Sequence, residues 1–420
     1  MHRGLTVAAA VAGDAVVTRW ALSVLLVIAV GAVVGILAAW RGARAPLALT
    51  LLVALGLRVA VAVLSRGHTP PDIGVATEHI TALIHQRQDP LTVLPRYRWN
   101  FLPFMPTVYA LLEHLGLPWQ YTVKIPAIAA DLVTTVLVGS LLPGRRRSVQ
   151  WLYATNPVAI LVSSVHGQVE PTAIAFGLGA LLMVRRAPAA AGLLLGFAIS
   201  AKTWPVLFLP GLLWYLPWRR WWKVIVGTGI APALFFLEAL YVLHDHLHPM
   251  LTRLVGYKSF IGTWGWTGLL HFYGRAGIGY AGPNVDRYQR IGTLVLAVAA
   301  ISLMIALRRG TGDQVVLGLM FVFYVVTAGF GPQYLMWAVP LALTQVRRSA
   351  APFLALASVY CTIAYLYAIP VSGHPRLHLG LEVFASIPVM CAALAGTVEL
   401  VRPRSALEVA PALVAKAPAA

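Results

Sequence analysis

The sequence is built from long apolar runs that follow one another with only short polar segments between them. A helix needs about 20 apolar residues to cross roughly 30 Å of hydrocarbon. The pattern therefore predicts an all-α, polytopic transmembrane bundle of about 12 or 13 spans. The apolar runs are 20–40, 46–65, 103–117, 121–142, 149–165, 169–184, 187–201, 203–217, 224–243, 291–307, 314–329, 330–344, 351–370 and 379–400. Residues 1–403 are predicted to form one membrane domain, followed by a disordered cytoplasmic tail at 404–420.

Composition excludes a soluble globular protein, since 59% of the residues are hydrophobic, 11% are charged and the mean hydropathy is +0.77. The net charge of +18 does not indicate nucleic-acid binding, because the basic residues lie in short clusters between apolar runs. The positive-inside rule places those clusters in the cytoplasm. The segments 66–102 and 244–290 then face outward. The basic clusters are Arg41–Arg44, Arg145–Arg147, Arg185–Arg186, Arg219–Lys223, Arg308–Arg309, Arg347–Arg348 and Arg402–Arg404.

These assignments conflict in the number of membrane crossings between two segments, which is called here the parity conflict. Runs 103–117 and 121–142 cannot both cross if Asp72 lies outside and Arg145–Arg147 lie inside. Either one run does not cross the membrane or that Arg cluster breaks the rule.

The first outward segment contains Asp72 directly after two prolines. Ile73, Ala76, Ile80 and Ile84 recur at helical spacing, which predicts an amphipathic helix along the membrane surface. Asp72 can serve as the N-cap of that helix, as a general base, or as both.

Polar residues at three other places suggest an active site on the same side. Arg98, beside Arg96, is unusual on an outer face and could hold a phosphate, although its aromatic neighbours also suit a membrane interface. His166, Gln168 and Glu170 form a tight loop between two apolar runs, for which a solvated turn is the alternative. Lys202 interrupts a long apolar stretch, and either a functional role or snorkelling from a helix end would explain it.

Several further polar residues are candidates for structural or binding roles. Lys124 and Asp131 share a helix face but are separated by about 10.5 Å of helical rise, so each needs another partner in a polar network. The HDHLH segment at 244–248 matches no standard metal site.

Lys258 lies in an aromatic, glycine-rich loop that could bind an acceptor, and Gln333 and Tyr334 lie at an outer helix break. Neither cysteine suggests a disulfide, and no GxxxxGK nucleotide motif is present.

The order of these motifs resembles the GT-C superfamily of lipid-linked glycosyltransferases, and within it the GT87 polyprenyl-phosphate-mannose-dependent mannosyltransferases. The matching pieces are PDIGV, QDPL, WNFLPFMP, NPVAILVSSVHGQVEP, AISAKTWPVLFLPGLLWYL with WRRWW, and GPQYLMWAVP, over about residues 70 to 345. The resemblance implies that Asp72 is the general base, that Gln168 and Lys202 act at the donor phosphate and active site, and that the transfer inverts the anomeric carbon.

The resulting functional prediction is a plasma-membrane enzyme whose active site faces outward. It would move a hexose, mannose in the first place, from a polyprenyl-phosphate donor to a lipid or glycan acceptor. No cofactor, metal or nucleic acid is expected, and the oligomeric state is left open. The alternatives are a transporter or lipid flippase, which the lack of an internal repeat disfavours, and a non-catalytic membrane assembly factor.

Overall fold

The computed structural model of the chain describes residues 2–42, 45–68, 70, 73, 77–88, 101–255, 259–274, 279, 283–367 and 375–402. Within these residues the chain is a bundle of helices without a β-sheet, as the apolar runs predict. Helices are the expected solution, because a helix satisfies its backbone hydrogen bonds internally when no water is at hand.

The first half of the bundle combines long helices with short ones. In chain order they are α1 His2–Trp40, α2 Leu47–Leu64, α3 Glu78–His85, α4 Phe104–His114, α5 Trp119–Thr122, α6 Lys124–Leu141, α7 Arg146–Ala154, α8 Pro157–Ile160, α9 Glu170–Met183 and α10 Pro188–Ala201. A π-helical segment, Leu161–His166, continues α8.

The second half has the same character. Its helices are α11 Phe208–Trp214, α12 Trp221–Tyr241, α13 Leu247–Val255, α14 Gly265–Phe272, α15 Pro283–Ala306, α16 Gly312–Val326, α17 Val339–Gln345, α18 Ala350–Thr362 and α19 Pro375–Val401. The 3₁₀ segments Trp204–Leu207 and Pro332–Trp337 precede α11 and α17, and a π-helical segment, Ile363–Tyr367, continues α18.

Six helical segments of the described chain are long and apolar enough to cross a membrane, and six shorter apolar helices accompany them. The six long segments are Arg19–Trp40, Leu47–Leu64, Trp119–Leu141, Trp218–Tyr241, Asn284–Ala306 and Leu379–Val401. The prediction of an all-α polytopic membrane bundle is confirmed. The short helices break where polar residues occur, which is the arrangement expected where irregular backbone is covered by protein.

The run 103–117 does not form a full span. Helix α4 has 11 residues, which is only about 16 Å of rise. It lies beside α3, where the His85 and Glu113 side chains approach to 3.4 Å. Because α4 is too short to cross, the parity conflict between Asp72 outside and Arg145–Arg147 inside disappears.

Direct contacts bring several of the basic connections to one end of the bundle, called here the basic end. The carboxyl end of α9 meets that of α11, since the Arg185 guanidinium lies 4.6 Å from the Tyr215 ring centre. The amino end of α16 joins them through Asp313, whose backbone N–H donates to the Tyr215 hydroxyl. Two further hydrogen bonds join basic connections to neighbouring helices. The Ser148 hydroxyl donates to the Ala39 carbonyl, and the Arg347 backbone N–H donates to the Glu399 carboxylate.

A buried ion pair fastens α2 to α6 between the two ends of the bundle. Arg58 Nε donates to Asp131 Oδ2 at 2.6 Å, and the Tyr153 hydroxyl donates to Asp131 Oδ1 at 2.5 Å. Lys124 donates instead to Ser65 Oγ at 3.1 Å. The prediction that Lys124 and Asp131 find separate partners is confirmed.

Candidate functional site

A loop of buried polar residues lies at the opposite end from the basic end. The π-helical segment Leu161–His166 stops at Gly167, whose φ of +74° is a left-handed conformation that glycine adopts most easily. The backbone N–H groups of Gly167 and Gln168 both donate to the Val162 carbonyl, which closes the turn. His166, Gln168 and Glu170 are all buried, so the alternative of an ordinary solvated turn is wrong.

Lys202 forms an ion pair with Glu170. Lys202 follows the last residue of α10, Ala201, and its backbone is extended at φ −162° and ψ 146°. Its Nζ donates to Glu170 Oε1. Glu170 is 0% exposed and Lys202 is 6% exposed. Snorkelling is therefore wrong as an account of Lys202, because a snorkelling lysine carries its ammonium group into water.

Two aromatic rings complete the surroundings of the Lys202 ammonium. Its Nζ lies 5.4 Å from the Phe101 ring centre and 5.3 Å from the Tyr334 ring centre. Both distances fall within the range of cation–π attraction. A cation held this way keeps a fixed position in a water-poor site, which strengthens its action on a nearby anion.

His166 stands in a short chain of hydrogen bonds. The Gln168 Nε2 amide is 3.0 Å from His166 Nε2 and donates to it. The proton of the neutral imidazole then lies on Nδ1, which donates to the Tyr365 hydroxyl at 2.8 Å. This chain joins the loop to the π-helical segment Ile363–Tyr367 and fixes the orientation of the imidazole ring.

A cavity of about 260 Å³ opens beside Lys202. One wall is a stack of aromatic rings in which Trp204 and Trp337 lie 4.1 Å apart and nearly parallel. Phe323 lies 5.2 Å from Trp337 and extends the same wall. Ser259 and Tyr334 add hydroxyl groups near the lysine. The cavity thus pairs one cationic end with a broad apolar surface.

Helix α15 forms the other side of the cavity. Its cavity-lining residues are Gln289, Gly292, Thr293 and Leu296. The other faces of α15 are largely exposed, since only 11% of its most apolar stretch is buried. In a membrane those faces contact lipid. The cavity is therefore bordered by a helix whose outer side is apolar and exposed.

Only some of the predicted site residues lie together in the structure. Five of them lie at the same end of the bundle: Lys202, His166, Gln168, Glu170 and Tyr334. Gln333 is half-buried and its amide lies over Gly331; it is not among the described residues that line the cavity. The predictions for Asp72, Arg98 and Lys258 fall outside the described residues.

Of the predicted amphipathic helix, the structure describes α3, in which Ile80 and Leu83 are buried against Ala239 and Met250 and Ile84 is half-buried; Asp72 and Ala76 lie outside the described residues. In the HDHLH segment, Asp245 Oδ1 accepts from the His246 backbone N–H. Across the described residues no three His, Cys, Asp or Glu side chains come together as a metal site would need.

Sequence reasoning missed several partners. Arg58 is a single charge within an apolar run, so the argument that selected Lys202 applies to it equally. Tyr365, Trp204 and Trp337 carried no such signal, because aromatic residues are common in membrane helices. Only the packing of distant segments brings these three rings to the site.

Comparison with known proteins gives one family. Residues 101–330 match glycosyltransferase family 87. The matched range includes the Gly167 loop and Lys202, and it ends before Tyr334. No curated protein matches the chain.

Proposed function

The chain belongs to glycosyltransferase family 87, and from this premise we propose that it transfers a hexose, specifically mannose, from a polyprenyl-phosphate donor. The acceptor is a glycolipid or glycan at the outer face of the plasma membrane. Membership of the family makes the protein a membrane glycosyltransferase. The donor, the sugar and the side of the membrane belong to the proposal.

The observation that carries the proposal is the position of Lys202. Its ammonium is fixed by Glu170 and two rings at the edge of a cavity whose far side is the lipid-facing helix α15. A polyprenyl-phosphate sugar is complementary to this cavity, because its anionic phosphate suits the cationic end and its long apolar chain suits the apolar surface. The phosphate would lie near Lys202 and the first part of the chain along Trp204 and Trp337.

The proposed reaction is a displacement at the anomeric carbon of the sugar. The acceptor oxygen forms a bond to C1 as the C1–O bond to the phosphate breaks. The proton of the acceptor hydroxyl passes to the Asp72 carboxylate, and the electron pair leaves with the polyprenyl phosphate. Lys202, with Arg98 and Lys258, stabilises the charge on that phosphate. Attack from the face opposite the leaving group inverts C1.

The remaining site residues would hold the sugar. The side chains of the polar loop, His166 and Gln168, and that of Tyr334 offer donors and acceptors that suit sugar hydroxyl groups. Glu170 acts on the reaction through Lys202, whose position it fixes. The polar loop lies at the end opposite the basic clusters, which the positive-inside rule assigns to the cytoplasm, and the proposal puts Asp72 on the same side as the loop.

The test of this function is a transfer assay with the full-length protein in proteoliposomes. Radiolabelled polyprenyl-phosphate mannose is supplied with candidate glycolipid acceptors, and the product is analysed for its anomeric configuration. We expect Asp72→Asn to lower turnover by about 10²–10⁴-fold, the usual contribution of a general base. Glu78→Gln is the matched control, because Glu78 is an exposed carboxylate nearby in the sequence. Turnover of Asp72→Asn within a few fold of the wild type would remove Asp72 as the base.

We also propose that catalysis needs no metal ion. The lipid phosphate leaving group is activated before the sugar reaches this enzyme, and lysine and arginine side chains suffice to neutralise it. Treatment with EDTA should leave the initial rate unchanged. A complete loss of transfer that manganese restores would show the opposite.

A further inference from the structure

Three cationic side chains are buried in the described part of the chain, and they differ in how their charge is balanced. Arg58, Lys124 and Lys202 are 0%, 4% and 6% exposed. Arg58 has Asp131 and Lys202 has Glu170. Lys124 has no carboxylate within 4 Å among the residues that the structure describes; its hydrogen-bond partner there is the Ser65 hydroxyl.

The Ser65 hydroxyl satisfies only one of the hydrogen-bond donors of the Lys124 ammonium group. Ser65 Oγ donates its own proton to the Val61 carbonyl at 2.8 Å, so it can only accept from Lys124. A protonated lysine has three N–H donors, and one neutral hydroxyl does not compensate a buried charge. The same fold supplies a carboxylate for each of the other two buried cations. Among the residues that the structure describes, Lys124 is therefore the buried Lys or Arg that lacks a carboxylate partner.

Neighbouring groups define where an anion would lie. The Lys124 stem packs under the polar loop, because a Cβ on Gly167 would meet Lys124 Cγ at 3.2 Å. His68 stacks on Trp20 at 4.2 Å, and its Nδ1 is a buried atom without a hydrogen-bond partner. Burial lowers the pKa of His68, and the charge on Lys124 lowers it further. The His68 backbone N–H donates to the Ser65 carbonyl at 2.9 Å, so His68 belongs to the same turn as the hydroxyl that accepts from Lys124.

The helix ends near Lys124 account for part of the charge balance. Helix α2 ends beside Ser65, and the Leu161–His166 segment ends beside Gly167. The carboxyl end of a helix carries about half a negative elementary charge, which is screened and acts over the last turn. These ends favour a cation at Lys124, but they are carbonyl groups and do not bind its remaining N–H donors in the described structure.

We propose that Lys124, held in place by Ser65 and accompanied by His68, forms an anion-binding site for a phosphate group of a lipid substrate, separate from Lys202 and its partner Glu170. The inference rests on the proposed function for the identity of the lipid. Lys124 carries one positive charge, which a single phosphodiester neutralises. The phosphate belongs either to the polyprenyl donor or to an anionic glycolipid acceptor.

The experiment compares Lys124→Met with the wild type as full-length protein in neutral-lipid nanodiscs. Binding of polyprenyl phosphate and of a phosphatidylinositol-type lipid is measured separately, with diacylglycerol as the uncharged probe. Lys223→Met is the matched control, because Lys223 is exposed at the basic end. The melting temperature of each ligand-free variant shows whether it folds.

We expect Lys124→Met to melt at or above the wild-type temperature, because the substitution removes a buried charge without leaving a carboxylate unpaired. It should lose at least tenfold in affinity for one of the two phosphate lipids and none for diacylglycerol. Loss with polyprenyl phosphate identifies the donor, and loss with the phosphatidylinositol-type lipid identifies the acceptor.

Unchanged affinity for both lipids would overturn the site. So would a lower melting temperature of ligand-free Lys124→Met, since that would show that the chain itself supplies the missing carboxylate. The proposed function fails separately, if the wild type transfers no sugar from polyprenyl-phosphate mannose. A wild type that binds the phosphatidylinositol-type lipid through Lys124 would still support the site in that case.

Discussion

The pairing of Lys202 with Glu170 changes what each residue can do. An unpaired lysine in an apolar stretch could be replaced by methionine with a gain in stability, because the charge is costly there. With Glu170 fully buried and its Oε1 bound to Lys202, the same replacement leaves a carboxylate without a counter-ion. Glu170 Oε2 is already buried without a hydrogen-bond partner. The stability of this site thus depends on keeping both charges or removing both.

We predict that Lys202→Met lowers the free energy of unfolding by about 3–5 kcal/mol, the usual effect of breaking a buried pair. The double variant Lys202→Met with Glu170→Gln should recover most of that loss, because no unpaired charge remains. Neither variant should transfer sugar at more than a small fraction of the wild-type rate. Denaturant unfolding and the transfer assay together test both statements.

The double variant separates stability from function. Full activity in it would remove Lys202 from the donor site, whatever its effect on folding. Lys202→Arg serves as the conservative control and should rescue transfer only in part, since a planar guanidinium has a different reach and shape from an ammonium group.

At the scale of helices, α10 and α12 approach closely through glycine. A Cβ on Gly192 would lie 2.3 Å from the Val224 carbonyl oxygen, and a Cβ on Gly227 would lie 2.3 Å from the Ala189 carbonyl oxygen. Helices in membranes associate through such small residues, because lipid provides little hydrophobic driving force between them. This contact fixes the direction of α10, whose last residue directly precedes Lys202.

Gly192→Ala should destabilise the protein by about 1–3 kcal/mol, since the added methyl group forces α10 and α12 apart. Gly229→Ala on α12 is the matched control, because nothing lies within 4 Å of its Cβ position. That substitution should be neutral or slightly stabilising, since alanine favours a helix more than glycine does. Thermal unfolding of both variants in one detergent makes the comparison, and equal melting temperatures would show that this contact is not tightly packed.

Across the whole molecule, the two ends of the bundle have different chemistry. The basic end gathers arginine-rich connections, and the other end gathers the polar loop, Lys202 and the cavity. Because positively charged connections stay in the cytoplasm, the cavity is expected to face outward.

Labelling of single cysteines with a membrane-impermeant maleimide tests this orientation. Cys361 and Cys391 are first replaced by alanine. A cysteine at exposed position Gln86 should then react in intact spheroplasts, whereas one at exposed position Arg186 should react only after the membrane is permeabilised. Reaction of the Arg186→Cys protein from outside would reverse the proposed topology.

The sequence by itself determined the helical membrane fold, the basic connections and the polar positions that needed a partner. These properties are local: a stretch of about 20 apolar residues suits the bilayer wherever it occurs, and a charge within it is costly whatever its neighbours are. The resemblance to family 87 rested on short motifs of the same local kind, and the family match confirmed it.

Only the tertiary structure decided which partner each buried charge received. Lys202 joins Glu170 and Arg58 joins Asp131 across distant parts of the chain, whereas Lys124 has no carboxylate partner within the described residues. The shortness of α4 and the aromatic wall of the cavity were also beyond local patterns. The physical reason is that pairing depends on how helices pack, and in this bundle glycine contacts and helix breaks set that packing.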